Sequence, residues 1–212
     1  MGAPAGSPDG SPQVFLRPIA TPIPLGFMAL SATTSVFAVV ELGWIPADQR
    51  QIAAWMALVL AAPLQLLAGV FGYLARDPIA GSGMAFLSGT WALLGVSSLV
   101  APPGSSSPGL GVALVAAAAA LLVPVLSSGG KRVAAGVIAL AAARFAVTGV
   151  YELTGSSSWQ LAAGAMGLAL GAAALYGALA FELEGARHQT VLPVGRVRDV
   201  TSSGEPGVRR RL

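Results

Sequence analysis

Six apolar stretches follow one another along the chain, each of the first five closed by a short break rich in proline, glycine, serine or charge. The first runs from about Leu25 to Ile45 and stops at Pro46-Ala47-Asp48; the second runs from about Ile52 to Ala75 and stops at Arg76-Asp77-Pro78. The third covers about Ile79 to Ala101, ending in Pro102-Pro103-Gly104-Ser105, and the fourth about Gly109 to Leu126, ending in Ser127-Ser128-Gly129-Gly130. The fifth reaches from about Val133 to Leu153 and the sixth from about Trp159 to Leu183. Each is close to the ~20 residues that a helix needs to cross a bilayer. The pattern predicts an all-α, polytopic membrane protein with six transmembrane helices. Residues 1–20 read as a flexible tail, 21–186 as the six-helix domain and 187–212 as a basic tail. Pro63 and Pro124 fall inside predicted helices, where neighbours can satisfy the carbonyl that proline leaves free, so kinks are expected at both.

Composition removes the soluble alternative. The chain is 55% hydrophobic and 10% charged, whereas a soluble domain carries about 25% charged residues. The mean hydropathy is +0.74. So few charges cannot cover a soluble surface, and the apolar surface must face lipid. The small residues Ala and Gly are abundant, which lets helices approach closely where lipid gives no hydrophobic drive between them.

The net charge of +3 and the isoelectric point near 10 do not point to nucleic acid, because the basic residues sit in loops and tails. Six spans put both tails and the second and fourth loops on one side. That side holds Arg17, Arg76, Lys131, Arg132, Arg187, Arg196, Arg198, Arg209, Arg210 and Arg211, and the other side holds only Arg50. Cytoplasmic loops collect Lys and Arg, so both termini are expected in the cytoplasm, with the protein in the plasma (inner) membrane. The tip Arg209-Arg210-Arg211 either touches anionic lipid or serves only as a topology determinant. Cysteine is absent and the single histidine, His188, lies in a tail, so no metal site and no cofactor are expected. Phosphate loops and nucleophile–base pairs are missing too, and no enzymatic activity is expected. Residues 1–20 lack the basic-then-apolar order of a cleavable signal peptide.

A faint repeat runs through the odd-numbered spans. Gly26-Phe27-Met28-Ala29-Leu30-Ser31, Gly83-Met84-Ala85-Phe86-Leu87-Ser88 and Gly136-Val137-Ile138-Ala139-Leu140-Ala141 share Gly, three residues, Leu, then Ser or Ala. It suggests three helix hairpins around one axis, a three-fold pseudo-repeat with the odd helices lining the centre. The alternative is coincidence among abundant residue types.

Several side chains carry candidate chemistry. Thr21-Pro22-Ile23-Pro24-Leu25-Gly26 stiffens a helix start and frees amides that hold an anion, or it is a helix-start device only. Hydroxyls are dense in span one (Ser31, Thr33, Thr34, Ser35) and span three (Ser82, Ser88, Thr90, Ser97, Ser98). They either line a polar path or join helices. Gln65 sits near the middle of span two, followed by Ala68-Gly69, and a buried amide there needs partners. Arg144 is the sharpest signal: it lies twelve residues past Arg132, roughly 18 Å into the membrane. A charge so deep is costly and is normally paired or functional. Glu41 is the expected partner, with Glu152 the other carboxylate in reach, and the pair is either a structural lock or an anion attractor.

Three of these motifs resemble the acetate uptake transporter family, also called succinate–acetate permeases. Members open span one with Asn-Pro-Ala-Pro-Leu-Gly, where Thr21–Gly26 stands here. They carry Gln followed by Ala-Gly in span two, as Gln65 and Ala68-Gly69 do. They end with Thr-Val-Leu-Pro-Ile-Gly after span six, where this chain has Thr190-Val191-Leu192-Pro193-Val194-Gly195. The resemblance implies a pore through each protomer, a homo-hexamer in membrane lipid, and passage of acetate and, in some members, succinate. It also implies a substrate pathway past Thr21, Pro24, Leu25, Gly26, Ser31, Thr34, Gln65, Ser88 and Arg144. The family narrows its pore at an apolar three-residue constriction. Leu30 and Leu87 fall on the first two positions; for the third, the internal repeat picks Leu140 and an ungapped match picks Ala141. This chain departs from the family in Thr21 for asparagine, in leucines for aromatic gate residues, and in Arg144 for an apolar residue.

The expected function is a permease or channel for small carboxylates. The rivals are a six-helix channel for neutral solutes such as urea and amides, and a membrane scaffold or sensor that does not transport. Small-residue faces such as Gly164, Gly167 and Gly171 in span six are expected to serve contacts between copies. The charge asymmetry makes a direct prediction. Single cysteines at Ser106 and Ser203 should react with a membrane-impermeant thiol reagent from opposite faces of the membrane, and labelling of both from one face contradicts the topology.

Overall fold

The computed structural model describes residues 20–128, 130–187 and 189–195; Arg17, His188, Arg196, Arg198 and the tip Arg209-Arg210-Arg211 lie outside the described residues. Among the described residues, six helices are long and apolar enough to cross a membrane: α1 (Ile23–Glu41), α2 (Ala47–Leu74), α3 (Ile79–Val100), α4 (Pro108–Leu126), α5 (Arg132–Thr154) and α6 (Ser157–Arg187). The protein is thus an all-α, multi-pass membrane protein, as the hydrophobic pattern predicts.

Local chemistry sets the helix ends. Pro24 lies in the first turn of α1, where the missing proline N–H breaks no helical bond. At the other end α1 stops at Glu41 rather than running to Ile45. Gly43 turns left-handed (φ 71°), and the amides of Gly43 and Trp44 bond back to the carbonyls of Val40 and Val39, both at 3.0 Å. Arg76 closes α2 in the same way (φ 54°), with Asp77 N–H donating to Gly72 O at 2.9 Å. At 31 residues, α6 extends past the predicted Leu183 to Arg187. It is about 46 Å long against a hydrocarbon core of about 30 Å, so its charged last turns stand clear of the lipid. The two internal prolines behave differently. Just before Pro63, α2 widens into a π-helical turn over Ala57–Ala61, a common answer to a lost backbone bond. Pro124 sits in the last turn of α4, which continues through it to Leu126 without a break.

The helices pack chiefly as three pairs: α1 with α6, α2 with α3 and α4 with α5. Small residues permit this. A Cβ on Gly69 would stand 2.8 Å from the backbone nitrogen of Ala85, and Gly72 lies as tightly against Gly81. In α6, Gly167 and Gly171 face Ala38 and Ser35 of α1, and Gly164 faces Ala38 and Leu42, the residue just past the end of α1. The glycine stripe expected to serve contacts between copies is therefore used inside the protomer. Many exposed positions on the helices are large and apolar, among them Leu66, Val70 and Leu74 of α2 and Val123 and Leu126 of α4.

Beyond α6 the chain turns back. Tyr176 Oη donates to Pro193 O at 2.9 Å, and the carbonyls of Val194 and Gly195 accept the amides of Val133 and Arg132, both at 3.3 Å. The first amides of a helix have no partner of their own, and this segment supplies partners to α5. Val194 is buried in the core at the same point.

The α2–α3 contact gives a stability prediction. Gly72→Ala forces two backbones apart and should cost about 1–3 kcal/mol. Gly136→Ala meets open space and should be neutral or slightly stabilising. Thermal unfolding of both variants in detergent checks this, and equal midpoints contradict the packing.

Candidate functional site

Side chains of α1, α3 and α5 meet inside the bundle, although the backbones of these helices make few close approaches. The Trp91 ring of α3 lies with its centroid 5.7 Å from Phe37 of α1 and 5.5 Å from Phe145 of α5. All three rings are fully buried. Leu87 precedes Trp91 by one turn and Leu30 precedes Phe37 by two, and both are fully buried. Ala141 belongs to the same core, whereas Leu140 is only partly buried against its edge.

On the other side of the rings lie charges. Glu41 follows Phe37 by one turn, and its Oε2 accepts Arg144 Nη2 at 2.9 Å. Arg144 has no exposed surface, against 11% for the Glu41 side chain. Its Nη1 reaches Thr148 Oγ1 at 3.4 Å, and its Nε has no partner. Gly167 makes room for the guanidinium, since a Cβ there would stand 2.8 Å from Arg144 Nε. Glu152 does not meet Arg144. Its Oε1 accepts Arg50 Nη2 at 2.9 Å and its Oε2 accepts the Ser107 amide at 2.7 Å. Of the two carboxylates in reach, Arg144 thus takes the expected Glu41, and Glu152 forms a separate pair with Arg50. In the sequence Arg50 reads as a loop residue, and its being the lone basic residue on its side is the signal that points to it.

Between the two pairs is a cavity of ≈20 Å³ lined by Phe37, Val40, Glu41, Arg50, Tyr151 and Gln160. It holds about one water molecule. The opposite end is open: a cavity of ≈360 Å³ is lined by Thr21, Arg76, Asp77, Ser127, Ser128 and Lys131. There the Lys131 ammonium pairs with the Asp77 carboxylate, a second ion pair the sequence reading missed.

The remaining predicted residues divide by role. Ser31 Oγ donates to Gly171 O at 2.8 Å and Ser88 Oγ to Ala62 O at 2.7 Å, so both join helices. Pro24 and Gly26 are buried in the first turns of α1, where Gly26 packs against Met84, and Leu25 beside them is partly exposed. Gln65 Nε2 donates weakly to Gly26 O at 3.4 Å. The Gln65 Oε1, Thr21 Oγ1, Thr33 Oγ1, Thr34 Oγ1 and Trp91 Nε1 atoms are buried without partners.

The deep ion pair generates an ordering of variants. Glu41→Gln strands an arginine that has no access to solvent and should cost about 3–5 kcal/mol. Arg144→Met should cost less, because Glu41 is close enough to the surface to regain water. The double variant should recover most of the folded yield, read by size-exclusion chromatography in detergent. Normal yield for Glu41→Gln alone contradicts the pairing.

No family model matches the sequence, and no curated protein matches it. Among solved structures, the chain is similar to the bacterial acetate channel SatP at a TM-score of 0.73 and 25% identity, over 83% of this chain and 99% of that one. A likeness of that extent, on six membrane helices, bears out the resemblance to the acetate uptake transporter family that the three sequence motifs carry.

Proposed function

We propose that the protein is a permease or channel for acetate and other small monocarboxylates, which pass through the protomer between α1, α3 and α5. The observation that supports this best is the likeness to the acetate channel over 99% of that chain. The interior fits the reading. Leu30 and Leu87 form the apolar constriction, with Ala141 rather than Leu140 as its third member, because Ala141 is buried in the same core. Such a dry neck excludes inorganic ions, which cannot shed their hydration there. The unpartnered Thr33, Thr34, Gln65 and Trp91 atoms are places where a passing water or solute gains a hydrogen bond. Arg144 acts as a lock holding α1 to α5. On this reading both termini lie in the cytoplasm, the membrane is the plasma membrane, and protomers assemble as a hexamer.

One observation favours the neutral-solute channel instead: Arg144 is paired with Glu41 and has no exposed surface at all, so it offers an anion little. Uptake into liposomes holding the purified protein separates the readings. Labelled acetate should enter and urea should not. Urea flux without acetate flux supports the neutral channel, and no flux of either supports a scaffold. In a transporting protein, Leu30→Ala and Leu87→Ala should each raise acetate flux several-fold or admit larger acids. Unchanged flux and selectivity in both removes the constriction from Leu30 and Leu87.

A further inference from the structure

A second cavity opens on the outer side of Arg50, where the end of α3 meets the start of α4. It measures ≈350 Å³, within the size range of small-molecule pockets and more than a two-carbon acid fills. Its lining is two-sided: Arg50, Glu152, Ser97 and Ser107 bring polar groups, while Val96, Val100 and Leu110 bring apolar ones.

The polar side already holds a carboxylate, the protein's own. Glu152 accepts from Arg50 with one oxygen and from the Ser107 amide with the other, at 2.9 and 2.7 Å. Ser107 caps α4 by accepting the Leu110 amide at 3.4 Å, so the positive end of that helix adjoins the cavity. Donors remain for a second carboxylate. A guanidinium has several N–H groups beyond the one given to Glu152, and among the described residues the Ser97 and Ser107 hydroxyls donate to no acceptor. Arg50 lines both this cavity and the water-sized one next to Glu41, so it forms the partition between them.

We infer that the outer cavity is a recruitment site for aliphatic monocarboxylates longer than acetate, the class of propionate and butyrate. The carboxylate sits on Arg50, Ser97 and Ser107, and the alkyl chain on Val96, Val100 and Leu110. The inference rests on the carboxylate-permease reading for its place in a pathway, and deepens it by making chain length the property the outer mouth selects. A dicarboxylate such as succinate is disfavoured, because its second charge would lie against the valines.

Calorimetric titration of the full chain in detergent with acetate, butyrate, succinate and decanoate tests the site. Each methylene taken out of water strengthens binding about fourfold, so butyrate, two methylenes longer, should bind about fifteenfold more tightly than acetate, and succinate more weakly than butyrate. Val96→Trp fills the cavity from an exposed position and leaves both residues of the Arg50–Glu152 pair unchanged, and should weaken butyrate at least tenfold. Should that variant fold poorly, Ser97→Ala should weaken every acid in the series several-fold. Equal affinity for acetate and butyrate, or butyrate binding indifferent to a folded variant, overturns the inference. So does affinity that climbs steadily to decanoate, which would mark a groove open to the bilayer. Acetate flux in liposomes without chain-length preference in binding removes this site and leaves the proposed function. Butyrate-selective binding with no flux does the reverse.

Discussion

Arg144 carries a full charge to a place where neither water nor lipid can solvate it, and one carboxylate on another helix meets it there. Much of that half of the bundle is arranged around that bond. The helix bearing Glu41 must end at the right height, and Gly43 ends it one residue after Leu42. The helix behind must not fill the space, and Gly167 leaves it empty. The aromatic rings next to the pair keep water away on one side, which strengthens the attraction by lowering the local dielectric. Burial of two charges is not by itself stabilising, since desolvation offsets much of their attraction. What the pair fixes is register: α1 cannot slide against α5 without stranding a charge.

The interior is layered from one end to the other. Two ion pairs and a water-sized space come first, then three aromatic rings, then two leucines, then an open polar cavity beside Thr21. On the carboxylate-permease reading proposed above, the layers obstruct in different ways. Leucines and rings resist a solute by removing its water, whereas the ion pairs resist by holding helices together and yield only when partners exchange. A chain with both kinds of obstacle can hold one end shut by charge and set selectivity in the middle by size and dryness.

The number of spans was legible because lipid demands about twenty apolar residues per crossing and forbids charge between the breaks. Arg144 was legible for the converse reason, as a violation of that rule. Elements that depend on what lies opposite in space were not. Gly43 looks like any other glycine until its φ is known, so the end of α1 was set four residues late. Gly164, Gly167 and Gly171 announce close packing without saying whether the neighbour is α1 or another copy. Ser31 and Ser88 read equally well as pathway and as fastening, and their bonds to Gly171 and Ala62 make them fastenings. Arg50 was hidden by its place next to a loop, since a basic residue there needs no further explanation until Glu152 is found beside it.

The segment from Thr190 to Gly195 links the making of this protein to its order of synthesis. The opening amides of α5 are satisfied by the carbonyls of Val194 and Gly195, which the ribosome adds only after all six helices are complete. Until then α5 can insert into the membrane but its first turn stays unfinished. Closure of that turn therefore waits for the segment after α6, which folds back along α6 and completes a helix made one helix earlier.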